Sequence, residues 1–373
     1  MGDNPLSDKA YKRVYDEAKS KGSATHEGEQ RHKEGLGLHE LVDPKGFGVI
    51  RRSISWLEPK DDKFILFRGT AMLEETRLDT TGSMGGNVEI AMEVLPKTYN
   101  LLARGPRAAL GRYDVQMITA IFGDVTDNYI LCRSQAEFDE RIAKQMTYMV
   151  PEKDGGDFTE DPQYGLFGAA YLTSATIKQL GLKSYDFTIT DADARDKVSL
   201  ENLIRVFGDK VMEKVKENGF SIDKNNLPCT KEIVRDLLKT AHAFLLVAPN
   251  RSGGYNAETI EYWNGIFGQE RVILIPKVEL LPEMKATIIG LTEGTLELST
   301  VESFLVEEAK LSQSRAAQIK RAVAGIPIGA QMMLPNFNKI PRIGDIFAKK
   351  GDLWPIEDKK TALPNKKSKG IWS

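Results

Sequence analysis

The chain predicts an α/β fold: a doubly wound, mostly parallel sheet flanked by helices, with helical extensions at its N- and C-termini. Three observations carry that expectation. Short strand-length runs alternate with stretches of helical period, the pattern of the strand–helix–strand units that build parallel sheets. Two of those runs, 244–248 and 272–275, are apolar throughout and enclose a helical stretch at 257–267, as strands covered on both faces require. The length, 373 residues with 41% hydrophobic content, is enough to bury a full core and long for one domain, so an α/β domain with added terminal segments is the natural organisation.

Along the chain, residues 1–60 read as a charged N-terminal extension, with a helical run over 7–19 and then a Gly-, His- and Glu-rich stretch holding His26, His32 and His39. Those histidines are six and seven residues apart, which matches no compact metal pattern, so an exposed polar segment is the plainer reading. The α/β domain is expected over 61–300. It opens with a strand at 64–73, followed by the polar run Glu74-Glu75-Thr76-Arg77-Leu78. Either that run links the strand to the Asp79 loop, or it belongs to the strand and its Glu and Arg side chains pair. Next come a helix over 88–102, strands over 115–121 and 129–132, a helix over 138–148, an amphipathic run over 164–177 and a strand-like run over 185–191. Helices over 200–216 and 231–241 precede the two apolar strands. A C-terminal segment, 301–335, holds one long amphipathic helix over 301–324. The tail from 336 to 373 is Pro-punctuated and basic, with Lys349-Lys350, Lys359-Lys360, Lys366-Lys367, Trp354 and Trp372, a composition typical of a solvated segment.

Composition excludes several classes of function. A net charge of −2 argues against a generally basic nucleic-acid binder. Two cysteines, Cys132 and Cys229, make neither a disulfide framework nor a zinc site, and no leading apolar stretch reads as a signal peptide. No apolar run is long enough to span a membrane, so a cytoplasmic protein is expected. Neither G-x-x-x-x-G-K-[ST] nor a strand-linked G-x-G-x-x-G occurs, which leaves ATP and NAD binding without support. A serine hydrolase lacks parts: outside the extension the one histidine is His242, at the end of a helical run beside an apolar strand, where a packed or capping imidazole is the default.

The chemistry concentrates in Asp79-Thr80-Thr81-Gly82-Ser83-Met84-Gly85-Gly86. A carboxylate and two hydroxyls at i, i+2 and i+4 suit one hard divalent cation, since Mg²⁺ prefers oxygen ligands and retains waters. D-x-[ST]-x-[ST] arises by chance about 0.3 times in a chain of this length, and Thr81 or Ser83 could equally cap a helix starting near Gly86. Two later segments add context. Gly155-Gly156-Asp157-Phe158-Thr159-Glu160-Asp161-Pro162 offers Thr159 as a third hydroxyl at a helix entry, and 185–191 ends in Asp191. In an open α/β sheet, ligands bind outside the carboxyl ends of strands at the topological switch point. The turn Asn250-Arg251-Ser252-Gly253-Gly254 should lie on the same face, as an ordinary Gly-rich connection.

These three segments, in this order, resemble the metal-ion-dependent adhesion site of the von Willebrand factor A family, over roughly residues 64–298. Phe122-Gly123-Asp124 after a strand-like run resembles the family's second strand. The resemblance implies a Rossmann-type domain with Asp79, Thr81, Ser83, Thr159 and Asp191 around Mg²⁺, or Mn²⁺ or Ca²⁺. It implies a non-enzymatic protein in which an acidic residue of a partner completes the shell; intracellular members commonly act as adaptors in assemblies, often beside AAA+ ATPases. The chain departs from the family wording in Gly-Gly-Asp-Phe-Thr, one residue longer than Gly-Gly-Asp-Thr, and in Thr-Asp-Ala where Thr-Asp-Gly is usual. A competing enzyme reading takes Asp191 and Asp193 as nucleophile and acid–base of a haloacid dehalogenase-type phosphatase. There Arg195 stands where that family has Thr or Val, and the Asp79 loop has no role.

Overall fold

A computed structural model describes residues 7–46, 55–60, 63–68, 71–103, 107–152, 159–250 and 252–339. Residues 340–373 of the basic tail, Gly155 to Phe158 and Arg251 lie outside the described residues. Helices α1 (Asp8–Ser20) and α2 (His26–Lys33) are followed by an antiparallel pair, β1 (Ser55–Lys60) and β2 (Lys63–Arg68). Then come β3 (Ala71–Asp79), α3 (Asn87–Val94), α4 (Thr98–Ala103), β4 (Asp114–Phe122), β5 (Leu131–Arg133) and α5 (Arg141–Met146). The next stretch holds β6 (Thr159–Glu160), α6 (Pro162–Phe167), α7 (Thr176–Gln179), β7 (Ser184–Thr190) and β8 (Asp193–Ala194). Helices α8 (Leu200–Phe207), α9 (Val211–Glu217) and α10 (Thr230–Thr240) precede β9 (Ala241–Val247), α11 (Ala257–Phe267) and β10 (Val272–Leu274). Three helices close the order, α12 (Leu281–Glu293), α13 (Val301–Glu307) and α14 (Gln313–Ala322).

Among the described residues the main sheet has six strands in the order β10-β9-β7-β3-β4-β5. All neighbours are parallel except β4 and the edge strand β5. From β3 the chain moves to one side through β4 and β5, then returns to the other side through β7, β9 and β10. The direction of winding therefore reverses between β3 and β7, which makes their carboxyl ends the switch point. The expected α/β class is what the chain adopts, with a core on each face. Along β9, Phe244 and Leu246 enter one core while Ala243, Leu245 and Val247 enter the other, the two-residue alternation of a strand covered on both sides. No helix of the described residues is long and apolar enough to cross a membrane.

The polar run before Asp79 is part of the central strand, and its side chains pair. Every residue of β3 is buried. On one face Arg77 donates through Nη1 to Asp186 Oδ1 at 2.7 Å and to Thr188 Oγ1 at 3.0 Å, with Nη2 on Asp186 Oδ2. Arg133 Nε and Nη2 reach the two oxygens of Glu75 at 2.9 and 2.7 Å. On the other face Lys285 of α12 lies 2.9 Å from Glu74, and Glu293 of α12 accepts from Tyr185 at 2.8 Å and from Tyr113 at 3.2 Å. Helix α6 rests directly on Arg77: a Cβ on Gly165 would come within 2.7 Å of Arg77 Cδ, so a larger residue there would have to displace the buried Arg77 side chain.

Several helices are shorter than their sequence period suggests. The stretch 88–102 breaks at Pro96, which has no N–H for the ladder. The stretch 200–216 breaks at Gly208 with φ 85°, and the segment expected as one helix over 301–324 turns at Lys310 with φ 58° between α13 and α14. The run 164–177 is α6 followed by a π-helical turn over Gly168–Leu172 and α7. Helix α12, which the sequence period did not mark, is buried on all sides from Met284 to Glu293, so it shows no apolar stripe. The N-terminal extension is docked: Tyr11 donates to the carbonyls of Met92 and Glu93 at 3.1 and 2.6 Å, and His39 stacks on Tyr148 with ring centroids 3.8 Å apart. The three histidines of that segment are accordingly half-buried and dispersed.

His242 lies inside β9 and is buried, with Nε2 donating to Gln331 Oε1 at 2.9 Å. Burial, with smaller contributions from Lys183 and Arg271, lowers it to about 4. The unfolded chain takes up a proton near the ordinary 6.5 while the native state resists it, so this stabilisation is present above pH 6.5 and is lost as pH falls toward 4. The loss is worth at most about 3 kcal/mol. Urea midpoints between pH 7 and pH 4.5 should fall more steeply for the wild type than for His242→Asn. A second expectation concerns the strand charges: Arg77→Met leaves Asp186 buried without its partner and should cost about 3–5 kcal/mol, whereas Arg77→Met with Asp186→Leu should recover part of that in the same urea titration.

Candidate metal centre

Asp79 closes β3 at the switch point and is wholly buried. Both its oxygens are held. Oδ1 accepts from the Thr81 amide at 2.9 Å and the Thr81 hydroxyl at 2.6 Å, and Oδ2 accepts from Thr190 Oγ1 at 2.6 Å. The loop after Asp79 is anchored where Thr80 gives its amide to the Phe122 carbonyl at 3.0 Å, and Gly85 turns it with φ 51°. Helix α3 begins after Gly86 with no side-chain cap, so the hydroxyls of Thr81 and Ser83 do not cap it. Thr81 Oγ1 stands 3.4 Å from Ser83 Oγ, and Ser83 Oγ donates to Asp191 Oδ1 at 2.6 Å. Asp79, Thr81, Ser83 and Asp191 thus form one chain of oxygens across the ends of β3 and β7. Asp79 forms its base; exposed Ser83 and half-buried Asp191 form its mouth.

The Asp191 loop is fixed from behind. Ala192 gives its amide to Thr190 Oγ1 at 3.1 Å, and the Ala192 carbonyl accepts from the Trp263 indole at 2.9 Å. Tyr262 donates to the Ala194 carbonyl at 2.8 Å. On the Gly-rich turn, Asn250 accepts from Ser252 and Gly254 and so serves the turn itself, while the Pro249 carbonyl accepts from Asn87 at 2.8 Å.

The second predicted segment enters as β6, which pairs with β8 in the register Thr159 to Asp193 and Glu160 to Ala194. Glu160 lies near enough to Asp79 for the two carboxyls to repel each other. Glu160 is 4% exposed and its Oε2 has no hydrogen-bond partner. Next to it Asp161 is committed to structure, accepting from Val125 N at 2.7 Å and Arg195 Nε at 3.0 Å.

Carboxylates crowd this end of the sheet. Burial pushes Asp79 up to about 6 against the pull of the Thr190 and Thr81 hydroxyls. Burial and then Asp79 push Glu160 up to about 9, and burial with Asp124 raises Asp127 to about 6. Among the described residues no three His, Cys, Asp or Glu side chains converge on one point by themselves. An ion here would depend on the Thr81 and Ser83 hydroxyls that join the carboxylates. An all-oxygen, partly neutral donor set fits Mg²⁺, Mn²⁺ or Ca²⁺ better than a metal that favours nitrogen and sulfur, and an orphaned buried carboxylate oxygen is the group a cation would satisfy.

No protein-family model matches the chain, and no curated protein does. Solved structures that align with the chain include the pilus adhesin SpaC from Lactobacillus rhamnosus GG in its open conformation, at 11% identity and TM-score 0.37 over 64% of this chain and 33% of that one. Another is proximal thread matrix protein 1 from the mussel byssus, at 8% identity and TM-score 0.33 over 59% and 48%. The same mussel protein with a zinc-occupied MIDAS motif aligns at 11% identity and TM-score 0.30 over 59% and 47%. The chain spans a third to a half of the length of these proteins.

A ligand that binds only the native state stabilises it by about 2.7 kcal/mol at a hundredfold excess over Kd. Millimolar Mg²⁺ or Mn²⁺ should therefore raise the melting temperature, and Asp79→Ala should remove that rise. Absence of both a melting shift and calorimetric heat with Mg²⁺, Mn²⁺ and Ca²⁺ would show that the oxygen chain holds no ion.

Proposed function

We propose that this chain is a metal-dependent protein-binding domain of the von Willebrand factor A type, acting as an adaptor in an assembly. The observation that supports it most is the continuous oxygen chain Asp79–Thr81–Ser83–Asp191 at the switch point, open to solvent at Ser83. A divalent cation, Mg²⁺ first among the candidates, would supply a Lewis-acidic point that accepts an outside carboxylate. Asp79 would orient Thr81, Ser83 and Asp191 would present their oxygens at the mouth, and Thr190 would hold Asp79 from behind. The partner group is a Glu or Asp of another protein, a subunit of an assembly or an AAA+ ATPase, and binding is reversible because one coordination position is shared. Cytoplasmic location and the absence of catalysis belong to the same reading.

Asp193 motivates the phosphatase alternative, since its Oδ1 is buried without a hydrogen-bond partner. The two readings divide on three variants. In the binding reading, Asp79→Ala and Asp191→Asn both abolish EDTA-sensitive capture of the partner, and Asp193→Asn changes little. In the phosphatase reading, Asp193→Asn removes hydrolysis of a generic phosphate ester by about 10² to 10⁴, and Asp79→Ala is silent. Turnover of such an ester by the wild type that needs Asp191 and Asp193 but not Asp79 would overturn the proposal.

A further inference from the structure

We propose that the cleft between α1, α4 and α13 is a binding site for a small organic amine, a primary ammonium on an apolar body, with Glu283 receiving the ammonium. The cleft encloses about 600 Å³, within the range of ligand cavities. Its described lining includes no residue of the Asp79 or Asp191 loops. The walls come from distant parts of the chain: Tyr11 and Tyr15 of α1, Leu101 of α4, Phe304 of α13 and, from the first turn of α12, Glu283. Leu101, Phe304 and the Tyr11 ring supply apolar surface, with Tyr11 and Phe304 buried. The Tyr11 hydroxyl is spent on the Met92 and Glu93 carbonyls at 3.1 and 2.6 Å, so it presents a ring rather than a donor to a ligand.

Charge in the cleft is sorted by depth. Lys12, Lys97, Arg107 and Lys310 line it as exposed side chains, whereas Glu283 and Glu308 are half-buried. Two of those cations are already engaged: Arg107 pairs with Glu307 at 3.1 Å, and Lys310 donates to the Glu307 carbonyl at 2.6 Å. Glu283 is not satisfied in this way. Its Oε2 is buried and has no hydrogen-bond partner among the described residues. Burial raises its carboxyl, and the pull of Lys97 and Arg315 does not offset that. An ammonium brings three donors and a positive charge to such a group, and rotation about the soft terminal torsion of the glutamate presents either oxygen to the cleft. An anionic ligand of the same size would instead meet Glu283 and Glu308 as like charges. The amine therefore enters head first, with its apolar body against Leu101 and Phe304.

The test uses the full-length chain and two probes that share an apolar body and differ in the sign of the head, phenethylamine and 3-phenylpropionate. Ligand-observed NMR titration should show phenethylamine binding saturably with a Kd of about 1 mM or tighter, and 3-phenylpropionate at least about tenfold more weakly. Glu283→Gln, checked for folding by its melting curve, should weaken the amine about tenfold or more, the loss expected for a hydrogen bond to a charged group, and should remove the preference between the two heads. Leu101→Trp, which keeps Glu283 and fills the apolar end of the cleft, should also expel the amine, so the site is tested even where one variant fails to fold. Asp79→Ala should bind the amine as the wild type does. Equal binding of the two probes, no saturable binding of phenethylamine, or amine affinities of wild type, Glu283→Gln and Leu101→Trp within twofold of one another would overturn the proposal.

Discussion

The paired charges inside β3 hold the molecule in register. A central strand buried on both faces ordinarily carries only apolar side chains, yet Glu74, Glu75 and Arg77 are all buried here. Each is tolerable only because its partner stands on a different element: Asp186 on β7, Arg133 on β5, Lys285 on α12. A slip of one residue would turn every one of these side chains to the wrong face and leave several unpaired charges in the core. The ion pairs thus act less as a source of stability, which buried pairs rarely are, than as a lock between β3 and its neighbours.

Register in turn builds the site. Arg77 and Asp79 lie two residues apart on one strand, so the pairing that fixes Arg77 against Asp186 also fixes the height of Asp79 against Thr190. From that point the geometry propagates outward: Asp79 holds Thr81, Thr81 stands by Ser83, and Ser83 meets Asp191. Trp263 and Tyr262, from α11, hold the far side of the same loop through backbone carbonyls. A site made of short loops is in this way carried on three strands and a helix whose relative positions the core dictates.

The strand–helix alternation, the sheet class and the loop at Asp79 were legible in the sequence because each has a local signature: apolar runs for β9 and β10, an acid followed by hydroxyls for the loop. What escaped was set by long-range partners. The polar run 74–78 gave no sign of which alternative held until Asp186, Arg133 and Lys285 were seen beside it. Helix α12 has no apolar stripe because it is covered all round. The segments 200–216 and 301–324 carry helical period throughout, yet Gly208 and Lys310 break them through backbone conformation.

Whether the oxygen chain at the ends of β3 and β7 holds a divalent cation can be seen by anomalous diffraction from crystals of the chain grown with Mn²⁺. One strong peak is expected among Asp79, Ser83 and Asp191, with metal–oxygen distances of about 2.0–2.4 Å to the nearest ligands. A map with no anomalous peak there, or with the ion bound at a site that involves none of these residues, would refute the metal centre.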